Sequence, residues 1–511
     1  MVTDLKVNMA TSSGTPGDIG RRYLQASVDS ILRGGMSLVI SGLVPMMLAR
    51  YLGPHDYGIY SIITALSALI AGLFHMGHNS ALHKLLPEYY LSDRVRGGAI
   101  LANVMLFTLA LAAVVCLSFM LGAPLIAAKV YHNQSMTPFF RFCALLILVM
   151  TLLNLASSIA AGMQDFKAYN TALLLRSGML IISAWIGATW WGLWGALVSQ
   201  FMAGSVGLVW LARQVIKVAS QRFPKLIRPV FSREILGVIG AFMLPAFTMT
   251  LLNLPCYWLA NTLTAREQGF AQAGLFSAAY ALAQLISLAP FNFYTPAMTF
   301  LTEAQASANA EVFNKLVVRS FRSIWLLTLP IALGCALFSP LLIRLLFGSN
   351  YLAAIPAAVL MSIAGLFMAI VGLLNAVIAA AGRIWHGCGI TFIWALVFVA
   401  AAFLLIPRWG AMGAAATFAI SYVLYLLLLC LYLQAILRVS LREMRRLAVL
   451  TIGSCSVALP LVYTCRGMTL YLAAPVLLAG VAIIGIFWVC DEVERKACEL
   501  SLTRFRQAVL S

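Results

Sequence analysis

Acidic side chains are scarce in this chain, with 16 Asp and Glu against 34 Lys and Arg in 511 residues, and charged residues of both signs make up only 10% of the total. Soluble globular domains carry about a quarter charged residues. So little charge, with a mean hydropathy of +0.95 and 62% hydrophobic residues, excludes a single water-soluble globule. The ten Cys include no CxxC pair and have no His partner at ligand spacing, which argues against a disulfide framework or a metal centre. They read as small buried hydrophobes. Residues 1–20 are polar and rich in Gly, Ser and Thr; without the apolar stretch of a cleavable signal, they read as a disordered cytoplasmic tail.

Long charge-free runs are what the chain has instead. No charged residue lies between Arg96 and Lys129, Arg141 and Asp165, Arg176 and Arg213, Glu267 and Glu303, Arg344 and Arg383, or Arg408 and Arg438. Each gap holds one or two helices of about 20 residues, the length that crosses roughly 30 Å of hydrocarbon. Membrane barrel strands would alternate polar and apolar residues in segments of about ten, and these runs do not. Gly/Pro clusters and charges divide the chain into fourteen expected spans, at 31–51, 57–78, 98–121, 139–161, 170–189, 195–213, 235–260, 272–294, 323–344, 356–380, 388–406, 412–435, 447–465 and 470–490. With the amino terminus cytoplasmic, 26 of the 34 basic residues fall on the cytoplasmic side. That bias accounts for the net charge of +18 as topology and contact with lipid headgroups, with no nucleic-acid partner.

The chain also repeats. "YGIYSIITAL" at 57 resembles "AGLFSAAYAL" at 273, and "GLWGALVSQ" at 192 resembles "GAMGAAATF" at 410. "AAGMQDF" at 160 with "AAGRIWH" at 380, and "LIAAKVYHN" at 125 with "LLIRLLFGSN" at 341, keep nearly the same separation. The expected fold is therefore all-α and polytopic, with two six-helix lobes related by a pseudo-twofold along the membrane normal and two extra carboxy-terminal helices. Its expected parts are a tail (1–25), an N-lobe (26–213), a basic cytoplasmic linker (214–234), a C-lobe (235–440), helices 13 and 14 (441–490) and a cytoplasmic tail (491–511).

Between the first two spans lies "ARYLGPHDYGIY" (49–60), where Gly53 and Pro54 set a turn and Asp56 is placed to cap the next helix. This hairpin resembles that of the polysaccharide-repeat flippases, the Wzx-type branch of the superfamily that also holds the multidrug and toxin extrusion exporters. "ALHKLLPEYY" (81–90), "AGLFSAAYALAQL" (273–285), "LFGSNYLAA" (346–354) and "PRWGAMGAAAT" (407–417) are similar to the same family, over about residues 25–440. His55 departs from it, standing where an acidic residue is commoner. The resemblance implies a transporter of the bacterial inner membrane with both termini cytoplasmic. It also implies alternating access of two lobes, a polyprenyl-pyrophosphate-linked oligosaccharide as substrate, membrane lipids, a polysaccharide polymerase and a chain-length regulator as partners, and neither a cofactor nor enzymatic activity.

All sixteen carboxylates lie in tails, loops or helix ends, whereas cations do fall in or near the spans. Arg33, Arg50, Lys84, Arg176 and Arg266 are candidates for a cationic cavity that takes an anionic cargo; His75 and His78 are candidates for proton coupling. Arg33, Lys84 and Arg266 are equally readable as interface anchors, Arg50 as snorkelling to lipid phosphates, and Arg176 as facing either cavity or lipid. Trp190, Trp191, Trp194 and Trp409 read as an interfacial aromatic belt. Two rivals remain open at this level: a drug/cation antiporter, expected to carry carboxylates inside its helices, and a membrane polymerase or acyltransferase, expected to have large outer loops.

Overall fold

The computed structural model describes residues 35–222, 247–248, 250–253, 255–306, 310–437, 442–464, 473–481 and 484. Ten helices carry the fold: α1 (Gly35–Ser92), α2 (Arg94–Lys129), α3 (Thr137–Gly162), α4 (Phe166–Arg222), α5 (Pro255–Gln268), α6 (Phe270–Ala306), α7 (Ala310–Leu337), α8 (Ile355–Ala380), α9 (Ile384–Leu437) and α10 (Arg442–Thr464). Among the described residues, eight segments are long and apolar enough to cross a membrane. Their outward residues are apolar too, as lipid contact requires: Leu121 is 72% exposed and Trp190 76%.

Three of these helices are pairs. α1 is 58 residues long, about 87 Å if straight, far more than a bilayer needs. It breaks at Gly53 (φ 71°, ψ 172°), α4 at Gly192 (55°, −130°) and α9 at Gly410 (53°, −126°), each at a break expected from the sequence. Only glycine takes such dihedrals without strain. Beyond Gly192 the chain folds back on itself, so that a Cβ added to Gly195 would lie 1.9 Å from the Gly187 carbonyl oxygen. Beyond Gly410 the same reversal brings Gly413 against Leu405, with a Cβ at 2.3 Å from its oxygen. Helix backbones approach this closely only where glycine leaves room.

These paired features recur 218 residues apart. The turn after α3 bonds Met163 N to Ile159 O, Gln164 N to Ala161 O and Asp165 N to Ala160 O. After α8, Ala381, Gly382 and Arg383 make the same three bonds to Val377, Ala379 and Ile378. This register replaces the one suggested by the AAG tripeptides, which are 220 apart, because the position needing positive φ is Gln164 in one turn and Gly382 in the other. Helices α1–α4 thus match α5–α9, with α1 answering to α5 and α6 together and α2, α3 and α4 to α7, α8 and α9. In α4 the helix runs on to Arg222, through the first residues of the expected linker.

The two halves meet reciprocally. A Cβ on Gly58 would lie 1.9 Å from Phe270 O, and one on Gly274 would lie 1.9 Å from Pro54 O, as a local twofold relation demands. Beside this contact the Ser277 hydroxyl is 2.8 Å from Ser61 Oγ and donates to Asn261 Oδ1 at 2.8 Å. Tyr351 OH donates to Ala49 O at 3.0 Å, Tyr131 OH lies 2.8 Å from Thr262 Oγ1, and the His55 ring packs edge-on to Phe270. All of these bonds gather at the end of the bundle that holds Gly53, and the polar knot in 49–60 is the centre of that seal. Asp56 differs from its expected role: its carboxylate accepts from His55 Nδ1 at 2.9 Å. Outside the matched halves, α10 packs on α7, where Trp325 Nε1 donates to Thr451 Oγ1 at 2.7 Å.

Candidate functional site

Arg176 lies in the fifth span, midway along the first arm of α4, and is half-buried there. Its Cβ faces Gly207 on the returning arm, which has no side chain to block it. Among the described residues its Nη2 reaches only the thioether of Met150, at 3.8 Å, and its buried Nε has no hydrogen-bond partner. No carboxylate pairs with it among the described residues, and the Tyr60 hydroxyl is within electrostatic reach. Tyr60 accepts from Gln200 Nε2 at 2.6 Å, and Gln200 Oε1 is buried without a partner. A desolvated cation with open donors is costly unless an anion completes it.

The other expected site residues are dispersed. Arg50 is exposed beside the Gly53 break, and Arg266 is exposed at the end of α5 with its Nε 3.5 Å from Glu267 Oε1. Lys84 sits in α1 with its side chain outside the described residues, and Arg33 lies outside them altogether. His75 and His78 stack edge to face at 5.6 Å on the second arm of α1. His75 Nδ1 is 3.4 Å from Ser158 Oγ of α3, Ser158 donates to Asn79 Oδ1 at 3.2 Å, and the buried His78 Nε2 has no partner. Among the described residues, no three His, Cys, Asp or Glu side chains come together as a metal site.

Tyr60 and Gln200 did not stand out in the sequence. Each is an unremarkable polar residue in an apolar run, and only the fold brings Gln200 to Tyr60 and Tyr60 within electrostatic reach of Arg176. A family model described as polysaccharide biosynthesis protein matches residues 47–356, which include this cluster and the seal between the halves. The chain belongs to the polysaccharide biosynthesis protein family. A relative in this family's line of work, the EPS I polysaccharide export inner membrane protein EpsE of Ralstonia nicotianae, is 26% identical over 426 residues, covering 81% of this chain and 94% of the relative. Two solved structures share the fold at 14% identity. The lipid II flippase MurJ in an inward closed conformation has a TM-score of 0.69, covering 90% of this chain and 98% of its own. An inward-facing multidrug resistance MATE family transporter has a TM-score of 0.68, covering 80% and 99%. The family member described here is therefore an all-α polytopic membrane protein with the fold of those transporters.

Proposed function

We propose that this protein is a flippase that moves a polyprenyl-pyrophosphate-linked oligosaccharide from the cytoplasmic to the outer leaflet of a bacterial inner membrane. The observation that carries the reading is Arg176, a half-buried guanidinium with its Nε sealed and no carboxylate beside it among the described residues, which fits a phosphate or acidic sugar as the partner. The export role named for the Ralstonia relative and the flippase named for the fold neighbour support the same reading. Both termini are cytoplasmic in this scheme, because that orientation puts 26 of 34 basic residues inside. The sealed end at Gly53 then faces outward. The headgroup enters from the cytoplasm, its anion pairs with Arg176, the prenyl chain stays in lipid, and the halves rock apart at Gly58 and Gly274. Arg50 and Arg266 at the outer rim, with Arg33 and Lys84 at the inner one, guide the anion in and out. The translocated unit passes unchanged to a polymerase and a chain-length regulator, so the protein itself is not an enzyme.

Reconstitution into vesicles tests this directly. With a labelled polyprenyl-pyrophosphate-linked hexose in one leaflet, the wild-type chain moves it to the other without altering its mass. Arg176→Gln slows that transfer by about tenfold or more, since a charge-assisted bond contributes roughly 1.5–3 kcal/mol. Transfer at the wild-type rate removes Arg176 from the cargo site. His75 and His78, with His83 within electrostatic reach, form the proposed proton-coupling group. Under an imposed pH gradient His78→Gln should make the rate indifferent to the gradient; an undiminished response places coupling elsewhere.

A further inference from the structure

The half that lacks a counterpart to Arg176 holds something else at the same positions. Shifted by 218, Arg176 becomes Trp394, Gln200 becomes Phe418, Gly207 becomes Tyr425 and Met150 becomes Met368; shifted by the 216 of the first hairpin, Tyr60 becomes Phe276 and Thr64 becomes Tyr280. The equivalence is spatial as well. Arg176 faces Gly207 as Trp394 stacks on Tyr425 with centroids 5.1 Å apart, and Tyr60 bonds Gln200 as Phe276 meets Phe418 at 5.8 Å. One half therefore presents a cation and amides where the other presents aromatic rings.

Those rings form a file of contacts. Tyr257 of α5 stacks on Tyr280 of α6 at 4.0 Å, Tyr280 meets Phe418 of α9 at 5.5 Å, and Phe418 stacks on Tyr422 at 6.2 Å. Phe276 and Phe418 are sealed, at 0% and 2% exposure, whereas Tyr257, Tyr280 and Tyr422 are each only half-buried. The file also continues into the cationic cluster. The Tyr257 hydroxyl is within electrostatic reach of those of Tyr60 and Tyr280, Tyr60 is within reach of Arg176, and Tyr280 of Tyr422. The cation of one half and the tyrosines of the other therefore lie within electrostatic reach of one another through Tyr60 and Tyr257.

We infer that Tyr257, Tyr280 and Tyr422 form a sugar-stacking subsite, in which a pyranose ring lies on the tyrosine faces while its linked anion is held at Arg176. A pyranose offers an apolar face of C–H groups and a rim of hydroxyls, and tyrosine offers a ring face and a hydroxyl. The Tyr257 hydroxyl already donates to Ser277 Oγ at 3.5 Å, but among the described residues the Tyr422 hydroxyl has no such partner, and a prenyl chain laid on the rings would leave it so, which favours the sugar as occupant. This inference rests on the flippase reading and adds the sugar as a second point of recognition.

Binding to the purified full-length chain separates the two ideas. The probes are polyprenyl pyrophosphate without sugar, and the same lipid bearing one glucose, galactose or N-acetylglucosamine. The wild type should bind at least one sugar-bearing lipid more tightly than the sugarless one, by roughly three- to tenfold for one aromatic contact. Tyr280→Leu and Tyr422→Leu should erase that preference and leave affinity for the sugarless lipid unchanged. Tyr280→Phe and Tyr422→Phe, which keep the ring and the packing, should retain most of it, with thermal melting confirming that each variant is folded. Arg176→Gln should weaken both classes of lipid alike. No preference in the wild type for any of the three sugars overturns the subsite while leaving the flippase reading intact, as does a preference that survives in the leucine variants. Equal loss of the sugarless lipid in those variants assigns the rings to the prenyl chain and overturns it too. Failure of the wild type to bind either lipid defeats the flippase reading and the subsite with it.

Discussion

The two halves of this protein share a backbone and differ in what they put inside it. Around Arg176 the first half leaves polar atoms open: Nε of the arginine and Oε1 of Gln200 are buried without partners. At the same depth the second half closes over Trp394, which is 1% exposed and stacked on Tyr425, with Asn375 and Thr391 bonding the Tyr425 hydroxyl at 3.1 and 2.6 Å. Trp394 Nε1 is buried without a partner too, but an unpaired neutral indole N–H costs far less than an unpaired cation, so it is the guanidinium of the first half that calls for a ligand. The difference shows that duplication kept the turns and the close helix contacts, which the fold needs, while the interiors diverged.

The largest effect should come from moving the charge to the other half. Trp394→Arg places a guanidinium among Phe398, Tyr422 and Tyr425, with no carboxylate to pair it among the described residues. An uncompensated buried charge costs about 3–5 kcal/mol, so a melt in detergent should show a fall of many degrees or no folded protein at all. Arg176→Met, the reverse kind of change, should melt no lower than the wild type, because a hydrophobic side chain of similar volume relieves the desolvated cation. Equal melting of the two variants would break the contrast drawn between the halves.

Much of this architecture is legible in the sequence, for identifiable reasons. Gly53, Gly192 and Gly410 announce the breaks because each sits among turn residues between runs too long for one span, and the repeat is visible because those turn glycines are shared. The interior is not legible in that way. Matching Arg176 to Trp394 or Gln200 to Phe418 needs a register that the divergent side chains themselves conceal, and the AAG tripeptides suggest one that is two residues off. Asp56 misleads for another reason: an acidic residue at a helix start reads as a cap, but in the folded protein His55 lies next to it and takes the carboxylate. Ser61, Ser277 and Asn261 are small polar residues in apolar helices, and their joint role depends on contacts across about 200 residues of chain.

A smaller effect separates contacts within one half from contacts between halves. Gly195 and Gly274 are equally crowded, with an added Cβ falling 1.9 Å from a backbone oxygen in each case. Overpacking of this kind costs about 1–3 kcal/mol. The two costs fall on different equilibria. Gly195→Ala strains the hairpin of α4 against its own returning arm, in every conformation the protein adopts, so it should lower the melting temperature and leave the seal between halves as it was. Gly274→Ala strains only the state in which Gly274 meets Pro54, and separating the halves relieves it. A cysteine introduced at Ser61, beside that contact, should therefore react faster with a membrane-impermeant maleimide added from outside when Gly274 is alanine, and no faster when Gly195 is. Faster labelling with both variants, or with neither, would mean that the reciprocal glycine contact is ordinary helix packing and that the halves part somewhere else.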